Sequence, residues 1–119
     1  MSKIRILALP VDREPYITNI ENSLRNMQRF VGGYIETVTV LKKPQVILIC
    51  ELKGRALNPS IPDLDEYGGW APKIAGDCFF CGVGRGEFAD LPDEWKDVLL
   101  KLSKEAYRGH KEEHGYENT

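Results

Sequence analysis

Long apolar runs, clustered basic charge and paired cysteines are all missing from this 119-residue chain, and each absence removes a class of protein. The longest apolar run, Val46–Cys50, falls far short of the roughly 20 residues that cross a bilayer as a helix, so no membrane partner is expected. Lysine and arginine number 16 against 18 acidic residues, a formal net charge of −2. Nucleic-acid binders draw affinity from clustered cations that neutralise phosphates. The densest basic spots here are Lys42-Lys43 and Arg25/Arg29, without interleaved aromatics, which argues against nucleic acid as a partner. Three cysteines, Cys50, Cys78 and Cys81, are too few for a disulfide framework and point to a reducing cytoplasm. The opening segment MSKIRILAL has no small-residue cleavage site and runs straight into a strand-like pattern, so no secretory signal is expected. Repeats and low-complexity tracts are absent too. A hydrophobic content of 42% is enough for one folded core over residues 1–119.

What is present reads as alternating strands and helices. Residues 3–9 form a compact apolar run closed by Pro10, a buried strand. A helix is predicted from Thr18, because Thr18-Asn19-Ile20-Glu21 fits a Ser/Thr-x-x-Glu capping box. Ile20, Leu24, Met27 and Val31 then supply one apolar face, and Gly32-Gly33 ends the helix. Residues 34–41 and 45–52 are β-branched and aliphatic, joined by Lys42-Lys43-Pro44, and predict an antiparallel hairpin. Residues 53–75 carry the breakers Pro59, Pro62, Gly68-Gly69 and Pro72, with a short helical turn near Asp63 to Tyr67. Strand character returns over 76–83, followed by a GRGE turn. A last helix is predicted over 90–107, with Asp90 as N-cap and Trp95, Val98, Leu99, Leu102 and Ala106 as its stripe. Residues 109–119 are polar and read as a frayed tail. The predicted order is β-α-β-β-(long loop)-β-α: an α+β domain with a largely antiparallel sheet and two helices packed on it.

Several patterns imitate chemistry and fail on geometry. Cys78-Phe79-Phe80-Cys81 with His110 and His114 has the ligand types of a zinc site. However, residues three apart in a strand point to opposite faces, and the histidines lie in the polar tail. No metal or other cofactor is therefore expected. His110-Lys111-Glu112-Glu113-His114 matches an inverted zinc-protease pattern, yet no third ligand accompanies it. Asp63, Asp65 and Gly68 match three calcium-loop positions, but Ile74 stands where a bidentate glutamate is required. Gly82-Val83-Gly84-Arg85-Gly86 lacks the Lys-Ser/Thr of a phosphate loop and reads as a hairpin turn. No serine or cysteine has a histidine partner on an ordered element, so no catalytic residue is assigned.

Loops longer than about 12–15 residues are uncommon in compact domains and tend to be functional. The 53–75 loop therefore holds the candidate ligand-binding residues Asn58, Tyr67 and Trp70, with Arg85 as a further hydrogen-bond donor. Aromatic rings there either clamp a ligand or fold down onto the core, and both readings stand at this point. A small sheet with two helices leaves an edge or face uncovered, so a homodimer is also expected.

Four segments carry a family resemblance: Glu14-Pro15-Tyr16, the IENSL…MQRFVGGYIETV stretch from Ile20 to Val38, the Asn58 of ALNPS, and IAGDCFFCGVGRGEFADL from Ile74 to Leu91. In these, the VGGYIE portion above all, the chain resembles a family of small proteins of phages, prophages and conjugative elements. That family is a domain of unknown function, defined by sequence rather than activity. The resemblance implies a mobile-element accessory protein of the kind that alters host physiology or defeats host defence. Combined with the absence of a catalytic constellation, it leads to a non-enzymatic protein of the host cytoplasm. Such a protein would neutralise a host factor by binding either a protein or a small nucleotide-like signal. One alternative is a metal-dependent nucleotide hydrolase using Asp63, Asp65 or Asp77; another is a structural or transcription-associated interaction protein.

Overall fold

Strict alternation along three strands builds a sheet with two buried faces. The structure, a computed structural model, describes residues 2–51 and 57–114, the side chain of His114 excepted. Strand β1 (Lys3–Leu9) sends Ile4, Ile6 and Ala8 to one face and Leu7 and Leu9 to the other. Strand β4 (Gln45–Cys50) and strand β5 (Cys78–Gly84) do the same, which is why both are apolar at almost every position. Strand β2 (Tyr16–Glu21) pairs with β1 at one edge, and strand β3 (Glu36–Lys42) pairs with β4 at the other. The order is β2-β1-β5-β4-β3, every pair is antiparallel, and strand β6 (Glu87–Ala89) adds to the end of β5.

Each face has its own cover. Helix α1 (Leu24–Val31) seats Met27, Val31 and Phe30 on the face of Ile6, Ile47 and Phe79, with the Phe30 and Phe79 rings edge to face at 5.3 Å. Helix α2 (Asp93–His114) brings Leu99, Trp95 and Leu102 to the face of Leu7, Leu48 and Phe80, where Leu64 and Ile74 of the long loop join them. This is an α+β domain on a largely antiparallel sheet with two packed helices among the described residues.

The first predicted helix is displaced. Residues 16–21 are strand β2, and the N-cap is Ser23, whose hydroxyl accepts from the Asn26 backbone N–H. Thr18 and Glu21 therefore form no capping box: they lie opposite Ile6 and Lys3 in the β1–β2 ladder. Leu24, placed on the apolar stripe by periodicity, is exposed at the start of α1. Gly32 does end the helix, at φ 86°, with its N–H on the Gln28 carbonyl.

Asp90 likewise does not cap α2. Its carboxylate accepts the Arg5 backbone N–H at 2.7 Å, while the Pro92 carbonyl accepts the first bonds of the helix, from Trp95 and Lys96. The Arg5 guanidinium closes this junction on the Leu91 carbonyl (2.7 Å) and on Asp93 (2.6 Å). Helix α2 then continues past Tyr107 through His114, so residues 109–114 of the predicted tail are helical; residues 115–119 lie outside the described residues. Arg108 pairs with Glu14 of the β1–β2 connection, fixing the far half of the helix. The charge-assisted bond to Arg108 holds the Glu14 carboxyl below its usual range.

Candidate functional site

The described part of the long loop, residues 57–75, is closed at its base and buried at intervals. Leu57 and Ala75 bridge, and the Asn58 N–H donates to the Ile74 carbonyl, so a wide excursion starts and ends at one point. Residues 53–56, which the predicted loop includes, lie outside the described residues. Between the closed ends, Leu64 and Ile74 are buried in the α2-side core, with Ile61 and Ala71 against them. A short 3-10 turn over Asp65–Tyr67 ends at Gly68 with φ 73°, and the Asp63 carboxylate accepts the Asp65 N–H at 2.8 Å. The next step is a close approach. A Cβ on Gly69 would lie 2.4 Å from the Val40 carbonyl oxygen, so only glycine lets the chain come this close. That approach allows the Trp70 N–H to donate to the Val40 carbonyl at 3.0 Å, tying the loop to the outer edge of β3.

The two aromatic candidates separate at this point. The Tyr67 ring meets Trp95 of α2 edge to face at 5.9 Å and is 40% exposed, a bridge between loop and helix. Trp70 is fastened through its backbone, yet its side chain is 61% exposed. It stands over a cleft of about 420 Å³ lined by Pro62, Asp63, Leu64, Asp65, Trp70 and Lys73, among others. Asp63 and Asp65 of the turn and Lys73 beyond Trp70 all line the cleft and are exposed. The cleft thus pairs an apolar floor and an aromatic wall with a mainly acidic rim.

Asn58 and Arg85 are elsewhere. Asn58 is 8% exposed; its amide donates to the carbonyls of Leu9 (2.7 Å) and Gly76 (2.9 Å), and its oxygen accepts from the Ser60 N–H (2.9 Å). These bonds hold the loop base against β1 and β5. Arg85 sits at φ 54° beside Gly86 at φ 77° in the two-residue turn between β5 and β6, where Gly84 pairs with Glu87. Positive φ at both central residues is the geometry that matches a twisted hairpin. That turn borders a different hollow, lined by Ser2, Asn22, Gly86, Glu87 and Phe88, and shares no lining residue with the Trp70 cleft. Lys73 and Leu64, by contrast, belong to the cleft and were not singled out by sequence. Only the alternation of apolar and acidic residues in Pro62-Asp63-Leu64-Asp65 hints that one side of that turn is buried.

Cys78 and Cys81 belong to the cores on opposite faces of the sheet, so they share no coordination sphere. Burial pushes both thiols up, Cys81 to about 12. Asp77 accepts the Val11 N–H at 2.9 Å, and among the described residues no three His, Cys, Asp or Glu side chains converge as a metal site. Among the described residues, no helix is long and apolar enough to cross a membrane.

Compared with known proteins, residues 4–104 match the family described as Domain of unknown function (DUF3846). The matched span runs through the Asp63–Trp70 segment. No curated protein and no solved structure matches the chain.

Proposed function

The chain belongs to the DUF3846 family, and from that premise we propose that it is a non-enzymatic binding protein anchored by Trp70, with a protein segment as its ligand. The carrying observation is a large ring left 61% exposed although its own backbone N–H is bonded to the Val40 carbonyl and the neighbouring Leu64 is buried in the core. Tryptophans of this kind dominate binding energetics, and a preorganised backbone reduces the ordering cost of association. The acidic rim favours a partner that presents lysine or arginine, whose cation stacks on the indole while Asp63 and Asp65 neutralise it. Phosphates of a nucleotide would instead meet those carboxylates, so a protein segment is the better-supported of the two ligands expected from sequence. The hydrolase reading is weaker, because Asp77 is bonded to the Val11 N–H away from the cleft that Asp63 and Asp65 line, and among the described residues no three ligating side chains converge to hold a metal.

The setting we propose is a phage or other mobile element acting on a host defence factor in the host cytoplasm. Its support is the resemblance of the Val31–Glu36 segment, VGGYIE, to sequences from such elements. The test compares wild type with Trp70→Ala and Asp65→Lys for melting temperature and for protection of a phage in defence-active cells, with native mass spectrometry of the purified chain. Both variants should keep their melting temperature, since surface changes of this kind stay within about 0.5 kcal/mol. Both should lose protection and the retained protein mass, the tryptophan change costing about 2 kcal/mol or more in binding. Protection undiminished in Trp70→Ala, or a retained mass in the nucleotide range, would overturn the reading.

A further inference from the structure

The sheet ends in two edges of different character. At β3 the register slips between Thr39 and Leu41, and the Trp70 N–H occupies the Val40 carbonyl, so a bulge and a covering loop blunt that edge. Strand β2 has neither device. Its six residues pair with β1 in unbroken register, contain no proline, glycine or lysine, and among the described residues meet no strand on their outer side. The hydrogen-bonding phase is fixed from both sides. The Asn22 N–H donates to the Ser2 carbonyl, which makes Ser2 and Asn22 a bonded pair one step beyond Lys3 and Glu21. The bonded pairs inward are then Ile4 with Ile20, Ile6 with Thr18 and Ala8 with Tyr16. Arg5 agrees: its backbone N–H and C=O both turn away from β2, to Asp90 and Leu91. It follows that Ile17 and Asn19 present their N–H and C=O groups to the outside, whereas the Glu21 carbonyl at the strand's end accepts the Ser23 N–H.

We infer that this edge pairs with the same edge of a second copy, in antiparallel register about a two-fold axis through Thr18. The occupant follows from the strand's own sequence. A two-fold that joins antiparallel edges keeps each face continuous, so opposed residues share a face. Centring on Thr18 sets Thr18 against its symmetry mate and Tyr16 against Ile20 twice. Tyr16 and Ile20 both pack at the margin of the α1-side core and are only half-buried in the single chain. The outward N–H and C=O groups of Ile17 and Asn19 then meet as bonded pairs. Arg13, which stacks on Tyr16 at 4.9 Å, is brought toward Glu21 of the other copy, so charge and apolar surface match in one register. The result is one continuous sheet through two chains, with both Trp70 clefts on its far edges.

The experiment uses the full chain. Light scattering at high micromolar concentration should give twice the mass of one chain. Asn19→Pro removes an outward N–H that no internal bond uses, and should give a folded monomer with its circular dichroism unchanged. Thr18→Cys places thiols directly opposed in a non-bonded pair, close enough for a disulfide, whereas Asn19→Cys sets them beyond that reach. Cys50, Cys78 and Cys81 are buried, so mild oxidation should cross-link Thr18→Cys and leave Asn19→Cys unlinked. Three results would overturn the inference: a monomeric wild type, a dimer that survives Asn19→Pro, or cross-linking of Asn19→Cys in preference to Thr18→Cys. None of these bears on Trp70, so the binding reading stands or falls separately.

Discussion

At the residue scale, Asn58 and Trp70 carry opposite signatures although both lie in the same loop. Asn58 uses both amide hydrogens and its oxygen inside the fold, on Leu9, Gly76 and Ser60. Replacing it by alanine strands two buried carbonyls and a backbone N–H, a loss of about 2–3 kcal/mol. We expect Asn58→Ala to lower the melting temperature by roughly 10 °C, given a chain of this size. Asn58→Asp should do no better, because it turns a second acceptor toward the Leu9 and Gly76 carbonyls. Thermal unfolding followed by circular dichroism decides it: stability close to wild type in both variants would return Asn58 to the pool of ligand-contacting residues. Arg5 also fastens the fold, since it ties β1 to the entrance of α2 through its backbone and guanidinium together.

At the scale of elements, the tip of the loop meets the β3 edge at one close approach, and that makes its docking there testable apart from the sheet. A methyl at Gly69 would meet the Val40 carbonyl oxygen at 2.4 Å and Leu41 Cδ2 at 2.6 Å. Gly69→Ala should therefore lift the turn, break the Trp70 to Val40 bond and cost about 1–3 kcal/mol. Hydrogen exchange should show faster exchange at the Trp70 amide with little change in β1 and β5; protection retained at Trp70 would mean that the bond to Val40 survives the added methyl. Elements of this kind differ in how far sequence reveals them. The β3–β4 hairpin, β5 and the glycine stop of α1 are local signals, and each forms near its predicted bounds. Strand β2 is not local. Thr18-Asn19-Ile20-Glu21 satisfies the spacing of a helix cap, but pairing with β1 gives Ile17 and Ile20 a face each, and a partner ten or more residues away leaves no trace in a short window. The same limit hides the site. Tyr67 and Trp70 stand out because aromatics among chain breakers are conspicuous, whereas the cleft that Lys73 and Leu64 complete exists only once Gly69 meets β3.

At the scale of the whole molecule, the cysteines couple global unfolding to alkaline pH. Cys50 and Cys78 face α2 and Cys81 faces α1, so all three thiols are enclosed by the sheet and its covers. Burial disfavours the thiolate and raises Cys81 from an ordinary 9.0 to about 12 in the folded chain. The sign follows from which state gives up the proton first. Below pH 9 both states keep it and stability is untouched; above pH 9 the unfolded chain ionises while the native chain does not, and the native state loses ground until the pH reaches about 12. Within that window each buried thiol contributes a loss of up to about 1.4 kcal/mol per pH unit. Lysines and tyrosines also titrate there, so the wild type alone does not isolate the effect. The measurement is the slope of unfolding free energy between pH 9 and 11 for wild type against Cys81→Ala. The variant starts less stable, because it leaves a cavity between β5 and α1, but its slope should be shallower by close to one proton. Native protein at pH 8 should also resist iodoacetamide and take up three labels only when unfolded, in line with three buried thiols. Equal slopes, or labelling without unfolding, would mean that water reaches Cys81 through the α1 layer and that this face of the sheet opens on its own.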